Sequence, residues 1–233
     1  QCPGFHFRLI YDFQSSIHID KPDIVIVNET WLNKHIHSNE IVNDQYYKCF
    51  RVDRTDNDKL KYDKKGGAGV MILCKNELDL KVKQISNVRT RLPILAIEAK
   101  FPDKTKLCIC TYYRYGYTDF PDTLEAERYF KDLAVRYKDI VLVGDLNLSS
   151  VEDWTCPYGR TEKEEIMTTL FNDLGFSAFI HSSTHRGGKT LDQILTNKPS
   201  VIHNVAVIPD GLCSSDHYTV TFELRCPRKC KPK

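Results

Sequence analysis

Residues 140–147 read IVLVGDLN: four apolar, mostly β-branched residues, then a glycine, an aspartate and, two places later, an asparagine. So short and apolar a run fits a strand buried on both faces, which implies a sheet covered on both sides. Asp145 and Asn147 then stand just past the strand, where a rigid backbone holds a functional group with little reorganisation. Three other segments repeat the arrangement. VIVNETWL sets Glu29 past the run Ile24–Val27, KTLDQIL sets Asp192 in a strand, and CSSDHYTV sets Asp216 and His217 immediately before one.

Working outward, Phe5, Leu9, Phe13 and Ile17 recur every fourth residue, with Ile10 beside them, and predict a helix that Pro22 ends. The charged stretch Asp53 to Lys65 has no apolar period and reads as a loop. Gly66, Gly67 and Gly69 lead into a buried strand, Val70–Cys74, and LKVKQI alternates like a half-exposed one. Ile94–Phe101 and Lys106–Tyr113 read as strands joined by the turn PDKT. Asp122–Arg136 is a predicted helix with Leu124, Phe130 and Leu133 on its buried side. A second, Glu162–Leu174, is stopped by Gly175. Thr190–Thr196, Val201–Ile208 and Tyr218–Leu224 complete the strands. With no internal repeat and no Pro/Ser linker, residues 1–225 read as one α/β domain on more than one sheet, followed by a basic tail, 226–233.

Composition narrows the class. Of 233 residues 41% are hydrophobic and 27% charged, as in ordinary globular proteins. No apolar run approaches the ~20 residues of a membrane span, and no signal peptide is recognisable. The net charge of +2 is too small to indicate a partner, so nucleic-acid binding would need local patches. Nine cysteines without a CxxC, several inside apolar runs, read as buried thiols in a reducing compartment. Cys226 and Cys230 are the only loose metal candidates, and no histidine follows them.

Taken singly, a glutamate after a strand, GDLN and SDH are ordinary turn sequences. Together, carboxylates, an amide and a histidine are what metal-assisted phosphodiester hydrolysis requires. Carboxylate oxygens hold a hard cation, a carboxylate or imidazole prepares the water, and an amide steadies the phosphorus centre.

In order and spacing, DIVIVNETWL, KGGAGVMIL, the strand ending Tyr112–Arg114, IVLVGDLNLS, THRGGKTLDQILTN and SSDHYTVTFEL resemble the exonuclease–endonuclease–phosphatase superfamily of the apurinic endonucleases and DNase I. More narrowly, they resemble the endonuclease domain of non-LTR retrotransposons. The pieces span residues 23–224. The resemblance implies a four-layer αββα sandwich of two mainly antiparallel sheets with outer helices. It also implies a Mg²⁺-dependent endonuclease, with Mn²⁺ as an alternative ion, that nicks DNA to leave a 3′ hydroxyl for reverse transcription. Glu29 is implied as the principal metal ligand and Asp216 as a second carboxylate near the metal. Tyr113 is implied as a phenol at the scissile phosphate, Asp145 as the carboxylate that orients or deprotonates water, and Asn147 as its phosphate-binding neighbour. His217 is implied as the imidazole at the phosphate, and Asp192 as the carboxylate that orients it.

Arg186 and Lys189 in THRGGK, and Arg114 among Tyr112, Tyr115 and Tyr117, are the candidate DNA contacts. Trp31 and Trp154 read as structural. The implied partners are DNA and, in a full-length parent, a reverse-transcriptase domain. The implied setting is a monomer, off the membrane, acting in the nucleus. The family also opens with a strand whose asparagine joins the metal site, whereas here QCPG directly precedes the first helix. Asn28 is not expected to replace that asparagine, since strand neighbours face opposite ways. Two other readings stay open: a phosphatase of the same superfamily, and a non-catalytic relic that binds DNA weakly.

Overall fold

Side-chain alternation along one strand, β6 (Lys106–Tyr112), sets the layers. Leu107 and Ile109 face one side of it, Cys108, Cys110 and Tyr112 the other, and all five are buried. The structure, a computed structural model, describes residues 4–53, 68–85, 90–148, 161–209 and 215–225, with side chains from Ile10 onward. The charged stretch beyond Asp53, Trp154 and the basic tail with Cys226 and Cys230 lie outside those residues.

The strands are β1 (Ile24–Asn28), β2 (Tyr47–Val52), β3 (Val70–Lys75), β4 (Lys81–Gln84), β5 (Ile94–Lys100), β6, β7 (Ile140–Asp145), β8 (Ser177–Ala178), β9 (Asp192–Thr196), β10 (Ile202–Ile208) and β11 (Thr219–Leu224). The helices are α1 (Gly4–Asp20), the short α2 (Ser38–Ile41), α3 (Phe120–Arg136) and α4 (Glu162–Asp173). Six strands form one sheet in the order β4-β5-β6-β7-β9-β8, antiparallel except for the parallel pair β6–β7. Its outer face, with Ala96, Cys110 and Leu142, packs on α3 and α4 through Phe130, Leu133, Leu170 and Phe171. Asp119 caps α3 by accepting from the Asp122 amide, and Thr161 and Glu164 form a capping box on α4.

Its inner face, with Leu95, Ile97, Ile109 and Val141, packs against two smaller sheets, β1-β3-β2 and β10-β11. Outside β1-β3-β2 lies α1, with Phe13 and Ile17 against Met71 and Leu73. This is the four-layer α/β sandwich expected from the sequence, with one refinement. The second layer is divided, and a cavity of about 1830 Å³ runs between β1 and β11.

Tyr47–Val52 is a strand that periodicity did not flag, because Lys48 and Arg51 interrupt its apolar residues. It is held instead by a full antiparallel register with β3. Cys49, Cys74, Cys108 and Cys110 are free thiols, and burial pushes Cys74 up to about 12.

Candidate active site

Gly144 explains why GDLN follows β7. A Cβ at that position would lie 2.1 Å from the Tyr112 carbonyl oxygen, so only glycine lets β7 approach β6 this closely. Asp145 is consequently the last residue of a buried strand, in register with Asp192 at the start of β9. The Arg114 amide donates to the Asp145 carbonyl at 2.8 Å, and the Leu146 amide to Leu191 at 2.9 Å. Asn147 takes a left-handed backbone (φ 47°), which brings its amide to Asp145 Oδ1 at 3.1 Å. Its side-chain Nδ2 donates to the Arg114 carbonyl at 2.7 Å.

His217 precedes β11 and completes the cluster. Its Nδ1 lies 2.8 Å from Asp192 Oδ2, and its Nε2 lies 3.9 Å from Asp145 Oδ2. Burial alone would lower the imidazole pKa. The Asp192 hydrogen bond and charge, reinforced by Asp145 and Asp216, outweigh it and hold the group at about 9. Asp145, only 4% exposed, is displaced upward by burial first and by the Asp192 charge second. Ligand atoms of Asp145, Asp192 and His217 lie within 4.8 Å of one another, and this group could hold a metal ion.

Glu29 reaches the same cleft from the opposite layer. The chain leaves β1 through left-handed residues at Glu29 (φ 52°) and Trp31 (φ 57°). The Thr30 and Trp31 amides donate to the Gly69 and Ala68 carbonyls, which accounts for the AG of KGGAG. The Glu29 carboxylate accepts from the Tyr113 phenol, and burial first, then Glu29, push that phenol well above its usual range. Asn28 turns inward and ties the layers: its Oδ1 accepts from the Thr111 hydroxyl at 2.7 Å, and its Nδ2 donates to the Tyr112 carbonyl at 3.4 Å.

Glu29, Asp145, Asp192, Asp216 and His217 all border the cavity between the layers. Asn147 adjoins through Asp145, and Tyr113 through Glu29. Arg186 and Lys189 are exposed on the 183–190 loop beside them. Arg114 does not join them. Only 4% exposed, it donates from Nη1 to the carbonyls of Leu146 (3.3 Å) and Asn147 (3.2 Å). Its guanidinium braces the GDLN turn rather than facing a ligand, because the chain passes beneath that turn as it leaves β6. Sequence reasoning also missed Thr184. It is fully buried, and its hydroxyl accepts the Leu191 and Asp192 amides at 3.0 Å each, so it anchors Asp192. A threonine in a glycine-rich loop carries no pattern that would reveal this.

The architecture is thus a layered sandwich with a histidine held between carboxylates at the seam of its layers. The chain belongs to the Endonuclease/Exonuclease/phosphatase family, whose profile matches residues 8–217. No curated protein matches it in sequence. Among solved structures it is similar to the endonuclease domain of TRAS1, a telomere-specific non-LTR retrotransposon. That match has 14% identity and a TM-score of 0.65, covering 97% of this chain and 93% of that one. It is also similar to an AP endonuclease from Archaeoglobus fulgidus, with 16% identity and a TM-score of 0.63, covering 94% and 96%. A third match is the 3′ phosphatase NExo from Neisseria bound to a product DNA hairpin, with 16% identity and a TM-score of 0.60, covering 91% and 93%. Among the described residues, no helix is long and apolar enough to cross a membrane.

Proposed function

We propose that this chain is a metal-dependent DNA endonuclease of the kind that nicks target sites for non-LTR retrotransposons. The observation that carries the reading is His217 set between two carboxylates, Asp192 at 2.8 Å and Asp145 at 3.9 Å, on a cleft bordered by Glu29. Asp192 fixes the ring so that Nε2 faces Asp145. The imidazolium that results is charged at neutral pH and suited to a phosphate oxygen. Asp145 orients the attacking water and accepts its proton, and Asn147 holds the carboxylate through its backbone amide.

Burial first, and the Asp192 charge second, displace Asp145 upward, and a cation bound nearby would offset both. Glu29 and Asp216 are the proposed ligands for Mg²⁺, with Mn²⁺ as a substitute, and Tyr113 steadies Glu29. Such an ion, when bound, supplies neutralisation of phosphate charge. The exposed Arg186 and Lys189 are suited to the DNA backbone. Similarity to a retrotransposon endonuclease domain over almost the whole chain, and to an enzyme bound to a DNA hairpin, supports DNA as substrate; a reverse-transcriptase domain in a longer parent is part of the same proposal. The chain is read as a monomer working at nuclear DNA.

The test is nicking of supercoiled plasmid with Mg²⁺ and with EDTA. The expected products are Mg²⁺-dependent open circles whose 3′ ends prime a polymerase directly. Release of phosphate from a 3′-phosphorylated oligonucleotide without nicking would replace this reading with a phosphatase.

A further inference from the structure

Residues 183–190, STHRGGKT, bring Arg186 and Lys189 to the surface, yet the histidine of this loop turns toward the site. His185 forms a bridge with His217, their rings meeting edge to face at 5.1 Å. Its Nδ1 accepts from the Gly187 amide at 2.9 Å, and its Nε2 lies 3.0 Å from Asp216 Oδ2. The backbone amide can only donate, so Nδ1 must offer its lone pair and the proton of the neutral ring must sit on Nε2. Nε2 therefore donates to Asp216. The atoms of His185, Asp216 and His217 lie close enough together to hold an ion. The Gly187 amide opposes that use, because metal ligation through Nε2 would place a proton on Nδ1, facing another donor.

The loop is built around this ring. Gly188 takes φ 75°, and a Cβ on Gly187 would lie 2.9 Å from His185 Nδ1, so both glycines are required for the contact. The Arg186 amide donates to the Asp216 carbonyl at 2.9 Å, the Tyr218 amide to the Thr184 carbonyl at 2.7 Å, and the Ser183 hydroxyl to the His185 carbonyl at 2.7 Å. Asp216 itself is 69% exposed in its side chain, and its Oδ2 is the atom that meets His185.

We propose that His185 is a positioning residue for the phosphodiester site, holding the Asp216 carboxylate in place and bracing the His217 ring from its side. The inference rests on the nuclease reading above. It makes the 183–190 loop a joint between the catalytic pair and the side chains of Arg186 and Lys189.

The test combines nitrogen-detected NMR of the histidine rings with plasmid nicking by the full chain and its variants. The expected spectrum shows His185 as the Nε2–H tautomer. His185→Phe keeps a packed ring but loses both hydrogen bonds. It should lower kcat on the order of 10-fold to 100-fold, as loss of an outer support typically does, with KM little changed. His185→Gln places an amide nitrogen near the Nε2 position and should recover most of that loss. In an Asp216→Asn background, His185→Phe should add less than about 2-fold, since coupled residues are not additive. Thermal melting of each variant checks that it is folded. An Nδ1–H tautomer, equal losses in the Phe and Gln variants, or an undiminished His185→Phe effect beside Asp216→Asn would each overturn the assignment. Absence of nicking by the parent chain, with the Nε2–H tautomer intact, would instead overturn the nuclease reading and the role with it.

Discussion

The six-stranded sheet and the divided layer facing it differ in how they hold functional groups. In the larger sheet, β5, β6, β7 and β9 are each paired on both sides, and both faces are covered. In the divided layer, among the described residues, β1 and β11 are each paired on one side, with the cavity between them. Asp145 and Asp192 come from the first half and are placed by a backbone ladder. Glu29 and His217 come from the borders of the second and are oriented by side-chain hydrogen bonds, Tyr113 to Glu29 and Asp192 to His217, the latter with the His185 ring beside it. The site is thus a graft of less supported groups onto a rigid platform, and on that platform Asp145 is the carboxyl whose ionisation burial opposes.

The largest expected effect concerns the platform. Asp145→Asn should lower nicking about 10²–10⁴-fold, the span of general acid–base contributions. Because burial and Asp192 oppose its charge, the same change should raise the melting temperature of the metal-free chain at pH 7. A lower melting temperature would show that the charge is better compensated than its surroundings imply.

Packing should differ between the halves. Phe130→Ala, at 1% exposure under the platform, should cost about 3–5 kcal/mol in denaturant unfolding. Phe222→Ala, half-buried beside the cavity, should cost only ~1–2 kcal/mol. Equal costs would erase the contrast.

Pairing the two borders should narrow it. An extension ahead of Gln1 with alternating apolar residues and a terminal asparagine, seated between β1 and β11, should add ~0.5–1.5 kcal/mol per hydrogen bond formed. Each kcal/mol corresponds to roughly 2–4 °C of melting temperature. An unchanged melt would mean that the cavity does not accept a strand.

Asn28→Ala should cost about 1–3 kcal/mol, because the buried Thr111 hydroxyl loses its acceptor. It should also reduce nicking through a loosened Glu29, and full nicking would separate Asn28 from the site.

The smallest effect is on pH. His217 is held at about 9 in the folded chain against ~6.5 unfolded. Its stabilising contribution is therefore complete below pH ~6.5 and fades as the pH rises through about 9. Chemical denaturation in EDTA should show ~1–2 kcal/mol less stability at the upper end. That portion of the slope should be missing in His217→Gln.

Much of the arrangement was legible in particular residues. IVLVGDLN announced a buried strand with a carboxylate at its end, and the apolar period over Asp122–Arg136 placed α3, which the structure starts two residues earlier at Phe120. Arg114 was misjudged because a sequence shows a charge but not its direction. Buried at a turn, its guanidinium satisfies carbonyls, whereas Arg186 stays exposed.

Local sequence determined what depends on neighbours along the chain: strand alternation, helix caps, and carboxylates placed at strand ends by short apolar runs. Only the tertiary structure decided which of those groups meet. Asp192 and His217 are 25 residues apart, and Glu29 and Tyr113 are 84 apart. No periodicity reports whether such pairs fall within hydrogen-bond reach. The protonation preferences of Asp145 and His217 follow from that meeting, because desolvation and charge act through space and depend on what the fold packs around each group.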